Sequence, residues 1–445
     1  MQAKPILMLL LLSIAQATFS QTADWLNAQS QTSFANFKAF LAYTDSKSTT
    51  THTNTIQLQQ AKKAKLAALL AIPDPTVNLP MSFTNNTQLP VNLFPAEAFG
   101  GQQGEYREVQ TGVQYNTTIS QGLDIKLVNL EGWKNLQLAK INIEITTTDN
   151  QLNIKRLYEN LATTYFNIVQ LNAQLETAIE NLRIADTLLQ IVENKFEQGL
   201  TRQQDVNDSR VNQLNAQENI RQITYLQEQQ YLALKIIADI PESEQIIILE
   251  KPAMDPPIAQ PDIRTNELAW KNSKLKEQSA LTNLKKANLT FAPQLSLVGN
   301  NAYNQYNPDF TIWGGNWIHS QYVGLRFNFN LPNANTLSNR SKARFDYQLS
   351  QKNSEKAKIQ STLTQQQLVT EWDKAISQQS NNAKILALQE ETFQKNKNLY
   401  NEGLIALDRT LNSFSAMVTA RYNLIVSQVN VSLAQAKIEI NNNIN

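Results

Sequence analysis

The sequence predicts an α+β membrane protein with four β-strands per chain, a long antiparallel α-helical coiled coil and two internal repeats. Three observations predict this class. Two Gly-Leu bends lie 204 residues apart, at Gly199 and Gly403. A pair of alternating, strand-like segments precedes each bend. The helical stretches around the bends far exceed the usual length of about 11 to 12 residues.

Composition limits both the fold and the partners. The net charge is +1 over 445 residues and only 17% of residues are charged, so there is no electrostatic case for a nucleic-acid partner. The chain has 12 Gly and 14 Pro, well below the usual usage of about 7% and 5%. Few turn residues over such a length predict long elements. Cysteine is absent, which excludes disulfides and thiol nucleophiles.

Residues 1–20 have the three-part plan of a secretory signal peptide. Lys4 precedes the apolar run "ILMLLLLSI", and small residues follow at Ala15, Ala17 and Ser20. The run is short for a membrane span, which favours a cleaved signal over a retained anchor. Cleavage is expected after Ala17 or Ser20, and no lipid anchor is expected because no cysteine is present.

The remainder divides into a first repeat (21–240), a linker (241–262) and a second repeat (263–445). Each repeat is predicted to contain a helix, a strand pair and a long helical hairpin that bends at Gly199 or Gly403. Identities at the 204-residue offset support the division: Asn194 and Asn398, Leu200 and Leu404, Ser209 and Ser413, Ala216 and Ala420, and Asn219 and Asn423.

The predicted strands are 77–84 and 109–120 in the first repeat, and 294–302 and 321–331 in the second. The stretch "VGLRFNFNL" has the clearest period of two, with apolar residues on one face and Gly, Arg and Asn on the other. The loops between paired strands are rich in aromatic residues, Gly and Asn, which is typical of exposed tips.

The long helices are predicted at about 125–198 and 336–402, which corresponds to about 110 and 100 Å at 1.5 Å per residue. The first has an apolar seam of mean period 3.5. The matched seam of the second helix, between Ala375 and Tyr400, is much more polar, which favours a helix with one side facing water. The first seam consists of Leu171, Leu175, Ala178, Leu182, Ala185, Leu189, Val192 and Phe196.

Four strands cannot close a bacterial outer-membrane barrel, which has at least eight. An open edge in lipid leaves backbone groups unpaired, at a cost of several kcal/mol for each. A membrane location therefore requires oligomerisation. Three copies would supply a 12-stranded β-barrel, and their 12 helical passes would form a second cylinder.

With its signal peptide, two repeats, a Gly-Leu at each bend and a strand–loop–strand unit ahead of each long helix, the chain resembles TolC-type outer-membrane efflux proteins, the outer membrane factors. The resemblance implies a homotrimer in outer-membrane lipid of a Gram-negative bacterium, with a barrel continuous with a periplasmic tunnel. It also implies a periplasmic adaptor protein and an energy-supplying inner-membrane pump of the RND or ABC type. The chain would be a passive conduit for small toxic molecules or polypeptides in tripartite efflux or type I secretion.

In this family polar links between the two bends close the tunnel. The corresponding positions are Asp205, after the first bend, and Tyr400, before the second. The resemblance therefore implies that Asp205→Ala or Tyr400→Phe loosens the tip. Ile405 replaces an Arg of the family pattern, and Arg409 and Asn412 stand where carboxylates are expected, so charge selectivity stays open. Other acidic candidates are Asp208, Asp408 and Glu402.

Simpler roles are open for the same residues. Asp205 could complement the partial positive charge of a helix N-terminus, worth about 0.3–1 kcal/mol, and Tyr400 could serve packing alone. Gly199 and Gly403 are predicted to be left-handed helix ends. Together with Leu200 and Leu404 they are the expected adaptor-docking bends.

Three aromatic residues near a predicted strand end form either a membrane-interface belt or a stack within their loop: Trp313, Trp317 and Tyr322. No phosphate loop, nucleophile elbow or metal-binding motif is found in the sequence. We therefore expect no enzymatic activity, no cofactor and no metal. A rival hypothesis is an exported coiled-coil scaffold or adhesin without a pore, in which the strands form a small soluble sheet.

Overall fold

The computed structural model describes residues 31–254, 261–312 and 314–444. The predicted signal peptide and Trp313 lie outside these ranges. The chain divides into two compact units, and each unit draws on both predicted repeats. One unit comprises Met1–His52, Asn153–Asn266 and Thr362–Asn445, and the other comprises Thr53–Leu152 and Glu267–Ser361.

Seven helices and nine strands occur in the described ranges. The helices are α1 Phe37–Lys47, α2 Thr49–Leu70, α3 Leu130–Glu197, α4 Gln203–Ala238, α5 Leu268–Leu289, α6 Ala334–Asn401 and α7 Leu407–Asn443. The strands are β1 Gln31–Phe34, β2 Thr76–Asn78, β3 Met81–Asn85, β4 Val91–Pro95, β5 Tyr106–Gln110, β6 Tyr115–Val128, β7 Gln245–Ile248, β8 Gln294–Asn307 and β9 Trp317–Asn328. Helices α3 and α6 have 68 residues each.

The main sheet lies in the second unit and is antiparallel throughout. Its order is β2–β6–β8–β9, and β3 also pairs with β6. Strands β2 and β3 are therefore one predicted strand, 77–84, that is interrupted at Pro80, which has no backbone N–H to donate. The break is local, because the N–H of Ser120 in β6 donates to the Pro80 carbonyl at 3.0 Å.

The predicted strand 109–120 is wrong in its bounds. Val109 and Gln110 belong to β5, whereas β6 begins at Tyr115 and continues to Val128. The first long helix consequently starts at Leu130 rather than near residue 125. Asn129 accounts for this start, because its side-chain oxygen accepts the N–H of Gly132 at 2.8 Å and so caps the helix.

The hairpin of β4 and β5 was not predicted from the sequence. The two strands pair antiparallel from Val91 with Gln110 to Pro95 with Tyr106. A 3₁₀ turn, Ala96–Phe99, follows β4 and brings Phe99 edge-on to Phe94 with ring centroids 6.2 Å apart. In the second strand pair, β8 is longer than its predicted range of 294–302, and β9 begins and ends earlier than 321–331.

One face of the main sheet is largely apolar and exposed, apart from one row of paired polar residues, Gln121, Asn301 and Gln321. Residues paired across strands share a face, and the register aligns Val77 with Leu123, Leu123 with Gly299, and Gly299 with Val323. The opposite face carries polar groups such as Asp124 and Arg326, which form an ion pair at 2.9 Å. We define the apolar sheet face as Val77, Met81, Phe83, Leu123, Val323, Leu325 and Phe327, all of which are exposed.

The core of the first unit joins the predicted linker to the N-terminal segment. Strand β7, within the predicted linker 241–262, pairs in parallel with β1, from Gln31 with Gln245 to Phe34 with Ile248. The linker is therefore partly a strand. The largest cluster beside this pair includes Phe40, Leu161, Tyr165, Ile168 and Leu234, which are fully buried.

Within the described ranges, no helix has both the length and the apolar character required to cross a bilayer.

Candidate functional site at the helical bends

The two bends have the same backbone geometry. Gly199 has φ +72° and Gly403 has φ +77°, in the left-handed region that disfavours a side chain. In the first bend, the N–H groups of Leu200 and Gly199 donate to the carbonyls of Lys195 and Phe196 at 2.8 and 2.9 Å.

The second bend repeats this pattern at the matched positions. Leu404 donates to Leu399 at 2.9 Å, and Gly403 donates to Tyr400 at 3.0 Å. This is the Schellman arrangement, which satisfies the last carbonyls of a helix. Leu200 and Leu404 are left exposed at the ends of the two hairpins.

Asp205 caps the helix in which it lies. Its carboxylate accepts the Thr201 hydroxyl at 2.5 Å and the backbone N–H of Arg202 at 3.0 Å. Both hydrogen bonds lower the pKa of the Asp205 carboxyl, and the bond from the Thr201 hydroxyl has the larger effect. Both bonds stay within the first bend, which matches the simpler role of a charge at a helix N-terminus.

This cap makes a prediction about acid stability. The pKa of Asp205 in the folded protein lies below its usual value near 3.8. The ionised carboxylate therefore stabilises the folded protein fully above pH 3.8, and this stabilisation is lost as the pH falls through the folded pKa. We expect Asp205→Asn to lower the unfolding temperature of the α3–α4 hairpin at pH 7 and to match wild type near pH 2. Thermal unfolding at both pH values measures this difference.

The matched control for this prediction is Asp208→Asn. Asp208 is exposed and lies one turn further along α4. An equal effect of the two substitutions, or a deficit of Asp205→Asn that persists at pH 2, would contradict the capping role.

Tyr400 lies between the two hairpins. It is 6% exposed and packs with Val192 of α3 and Leu407 of α7. Burial raises the pKa of its hydroxyl, Thr201 opposes this rise to a smaller extent, and the negative charge of Asp205 adds slightly to it. The buried hydroxyl makes no hydrogen bond of normal geometry with any described residue. The expected polar link from the Tyr400 hydroxyl to Asp205 is therefore not formed within the chain.

The polar link between the bends is made by Lys195. Its ammonium group donates a hydrogen bond to the backbone carbonyl of Tyr400 and lies 4.2 Å from the centroid of the Tyr400 ring. Sequence reasoning missed Lys195. Its position in the last turn of α3, where a cation complements the C-terminal partial charge, was the available signal. We call Val192, Lys195, Tyr400 and Leu407 the tip cluster.

The other gate candidates lie outside this cluster. Asp408 is in the first turn of α7, and Arg409 follows it. The side chains of Asp208, Asp408, Arg409 and Asn412 are all exposed. The structure brings none of these four into the packing between Tyr400 and Val192.

A second polar layer joins the hairpins further from the bends. Arg421 donates to one oxygen of Glu390 at 2.9 and 3.1 Å and to the side-chain oxygen of Asn181 at 3.2 Å. Beside it, the Asn219 amide donates to the Tyr422 hydroxyl at 2.7 Å. Sequence analysis did not identify this layer, because its members are far apart along the chain.

The predicted aromatic belt is wrong in one respect. Trp317 pairs with Gln305 on the same face of the sheet as Leu325, whereas Tyr322 pairs with Asn300 on the face that carries Arg326. An odd spacing within a strand places side chains on opposite faces, so Trp317 and Tyr322 cannot belong to one belt. Trp313 lies outside the described residues.

In the part of the chain that the structure describes, no group of three or more His, Cys, Asp or Glu is placed to hold a metal ion.

Comparison with known proteins shows the fold and a family match to part of the chain. The family model "Outer membrane efflux protein" matches residues 57–238. No curated protein gives a significant match.

Solved structures that resemble this chain include three outer-membrane proteins. The outer membrane protein VceC from Vibrio cholerae has 14% identity and a TM-score of 0.65, with 91% of this chain and 95% of that chain covered. The CmeC outer membrane channel of Campylobacter jejuni has 15% identity and a TM-score of 0.66, with 91% and 85% covered. The open state of the MtrE outer membrane channel of Neisseria gonorrhoeae has 13% identity, a TM-score of 0.63, and 91% and 88% covered.

Proposed function

Because a family model for outer membrane efflux proteins matches residues 57–238 and solved outer-membrane channels share the fold, we propose that this chain is an outer membrane efflux protein that forms a homotrimeric export channel in the outer membrane. The channel is a passive conduit of a tripartite efflux or type I secretion system, and carries small toxic molecules or polypeptides. A periplasmic adaptor and an RND or ABC inner-membrane pump are its partners. The observation that carries the proposal is the exposed apolar sheet face on a sheet with two open edges.

The open edges are β2–β3 on one side and β9 on the other, each with one described neighbour in the sheet. Unpaired backbone groups in lipid cost several kcal/mol each, so such a sheet needs further strands. Counting β2 and β3 as one interrupted strand, the chain supplies four strand positions. Three copies supply 12, which is enough to close an outer-membrane barrel.

The helices also have surfaces that another copy could cover. Helix α4 exposes Val211, Tyr225 and Ile236, and α6 exposes Leu349 and Ile359. Large apolar side chains that recur on exposed helix faces are candidates for contacts with another chain. These surfaces support an assembly in which the helices of neighbouring copies pack together around a tunnel.

The bends are the proposed adaptor-docking and gating end. Exposed Leu200 and Leu404 offer apolar contacts to an adaptor at six bends of a trimer. The tip cluster holds the two hairpins of each copy together through packing and the Lys195 hydrogen bond. Separation of the hairpins at this cluster is the proposed opening movement.

Purification in detergent and reconstitution in planar bilayers test the proposal. We expect a particle with the mass of three chains, discrete conductance steps, and retention in outer-membrane fractions that are washed with salt or urea. A monomer without conductance would contradict the channel. Release by salt or urea would instead support the coiled-coil scaffold or adhesin.

A further inference from the structure

A groove of about 660 Å³ lies between the end of α5 and the first turns of α6. Leu284 and Asn288 line it from α5, and Leu337, Arg340 and Arg344 line it from α6, together with Tyr347. All of these residues belong to the second unit. The groove thus combines apolar contacts with two guanidinium groups spaced one helical turn apart.

The charge of the groove is uncompensated. No Asp or Glu lines it, and within the described ranges neither Arg340 nor Arg344 forms an ion pair. Two lysines of α5 differ in this respect, since Lys274 pairs with Glu277 and Lys276 with Asp149. A pair of arginines without a carboxylate partner is complementary to a phosphate group, which it can bind through paired hydrogen bonds.

The groove lies directly beside the main sheet along the chain. Asn288 is one residue from the end of α5, and β8 begins at Gln294. The two junctions are tied together, because the Asn330 side chain donates to the Thr290 carbonyl at 3.3 Å. Arg340 is six residues into α6, which corresponds to about 9 Å of helix, and its long side chain can reach back towards the membrane boundary.

We propose that this groove binds the phosphate headgroup of an anionic phospholipid. Arg340 and Arg344 contact the phosphate, Asn288 and Tyr347 supply further hydrogen-bonding groups, and Leu284 and Leu337 contact the start of an acyl chain that continues over the apolar sheet face. Clusters of cations next to a membrane-embedded segment bind anionic headgroups in this way. The inference rests on the proposed function, because it requires that the sheet lie in a membrane.

The test compares lipid retention by the purified trimer. The protein is incubated with equal amounts of phosphatidylglycerol and phosphatidylcholine in detergent, washed, and analysed for bound lipid. We expect phosphatidylglycerol to be enriched at least about tenfold in wild type, since each cation near a headgroup contributes about fivefold. The double variant Arg340→Gln/Arg344→Gln should lose the enrichment, and Arg340→Lys/Arg344→Lys should retain most of it.

Lys342→Gln/Lys356→Gln is the matched control, because it removes two cations from α6 at positions outside the groove. Equal enrichment in the Arg→Gln variant and wild type would overturn the inference. So would loss of bound phosphatidylglycerol upon addition of millimolar inorganic phosphate, which would indicate a site for free anions. A third outcome would also contradict the lipid site. In it, the Arg→Gln variant alone fails to form trimers, and the Arg→Lys variant forms trimers but shows no preference for phosphatidylglycerol. The arginines would then contact another copy of the chain instead of a lipid.

Conductance of the same preparations separates this inference from the proposed function. Wild-type protein that conducts but shows no preference for phosphatidylglycerol contradicts the lipid site alone. Protein that neither inserts nor conducts contradicts the channel.

Discussion

Leu325→Arg is expected to prevent accumulation of the assembled protein in the outer membrane. Leu325 is 68% exposed on the apolar sheet face, in strand β9 between Val323 and Phe327. An arginine on the lipid face of a barrel costs about 2–4 kcal/mol at the bilayer midplane and about 0–1 kcal/mol near its edges. Three copies multiply the penalty, because each barrel would carry three such arginines.

Outer-membrane fractionation followed by native gel electrophoresis measures the amount of assembled trimer. Asn328→Arg is the matched control, since Asn328 lies in the same strand but on the face that already carries Arg326. We expect Asn328→Arg to assemble close to the wild-type level. If Leu325→Arg also assembles normally, the apolar sheet face is not in contact with lipid, and a soluble scaffold becomes the better explanation.

The sheet face illustrates what the sequence predicts well. In "VGLRFNFNL" the side-chain period of two is a local property, so alternation alone assigns Leu325 and Arg326 to opposite faces. The bends are equally local, because a Gly-Leu pair that ends a long helix predicts the left-handed glycine observed at Gly199 and Gly403. The family resemblance reached from these features is confirmed by the family model and the solved structures.

Long-range pairing was not predictable in the same way. Strands β1 and β7 have four residues each, and Gln31 pairs with Gln245 across more than two hundred residues. Runs this short carry almost no periodic signal, and the hairpin of β4 and β5, with five residues in each strand, was hidden for the same reason. The register of a strand pair depends on the residues of the partner strand, and the sequence pattern of one strand does not contain this information.

The tip cluster shows the same limit for function. The resemblance indicated the positions of Asp205 and Tyr400 but not their partners. The structure directs the carboxylate of Asp205 to its own helix end and leaves the Tyr400 hydroxyl unpaired. Lys195 is one of many cations in a polar helix, so its contact with the Tyr400 carbonyl could be found only from the packing of the two hairpins.

These contacts reverse the expectation that Tyr400→Phe loosens the tip. Tyr400→Phe removes a buried hydroxyl that has no hydrogen-bond partner among the described residues of its own chain, and such a change is neutral or stabilising when the shape is kept. Lys195→Met removes a hydrogen bond from a charged donor, worth about 1.5–3 kcal/mol, and a cation–π contact worth about 0.5–1 kcal/mol. Because Lys195 is partly exposed, the lower ends of these ranges apply.

Single-channel conductance therefore distinguishes the two residues. We expect Lys195→Met to raise the ratio of open to closed channels about thirtyfold, which corresponds to about 2 kcal/mol, whereas Tyr400→Phe stays close to wild type. Lys195→Arg should retain most of the closure. Lys395→Met is the matched control, because Lys395 is exposed and pairs with Glu391 of its own helix at 2.6 Å. An open fraction that rises in Tyr400→Phe but not in Lys195→Met would mean that the Tyr400 hydroxyl, through a partner in another copy, holds the tip closed instead of Lys195.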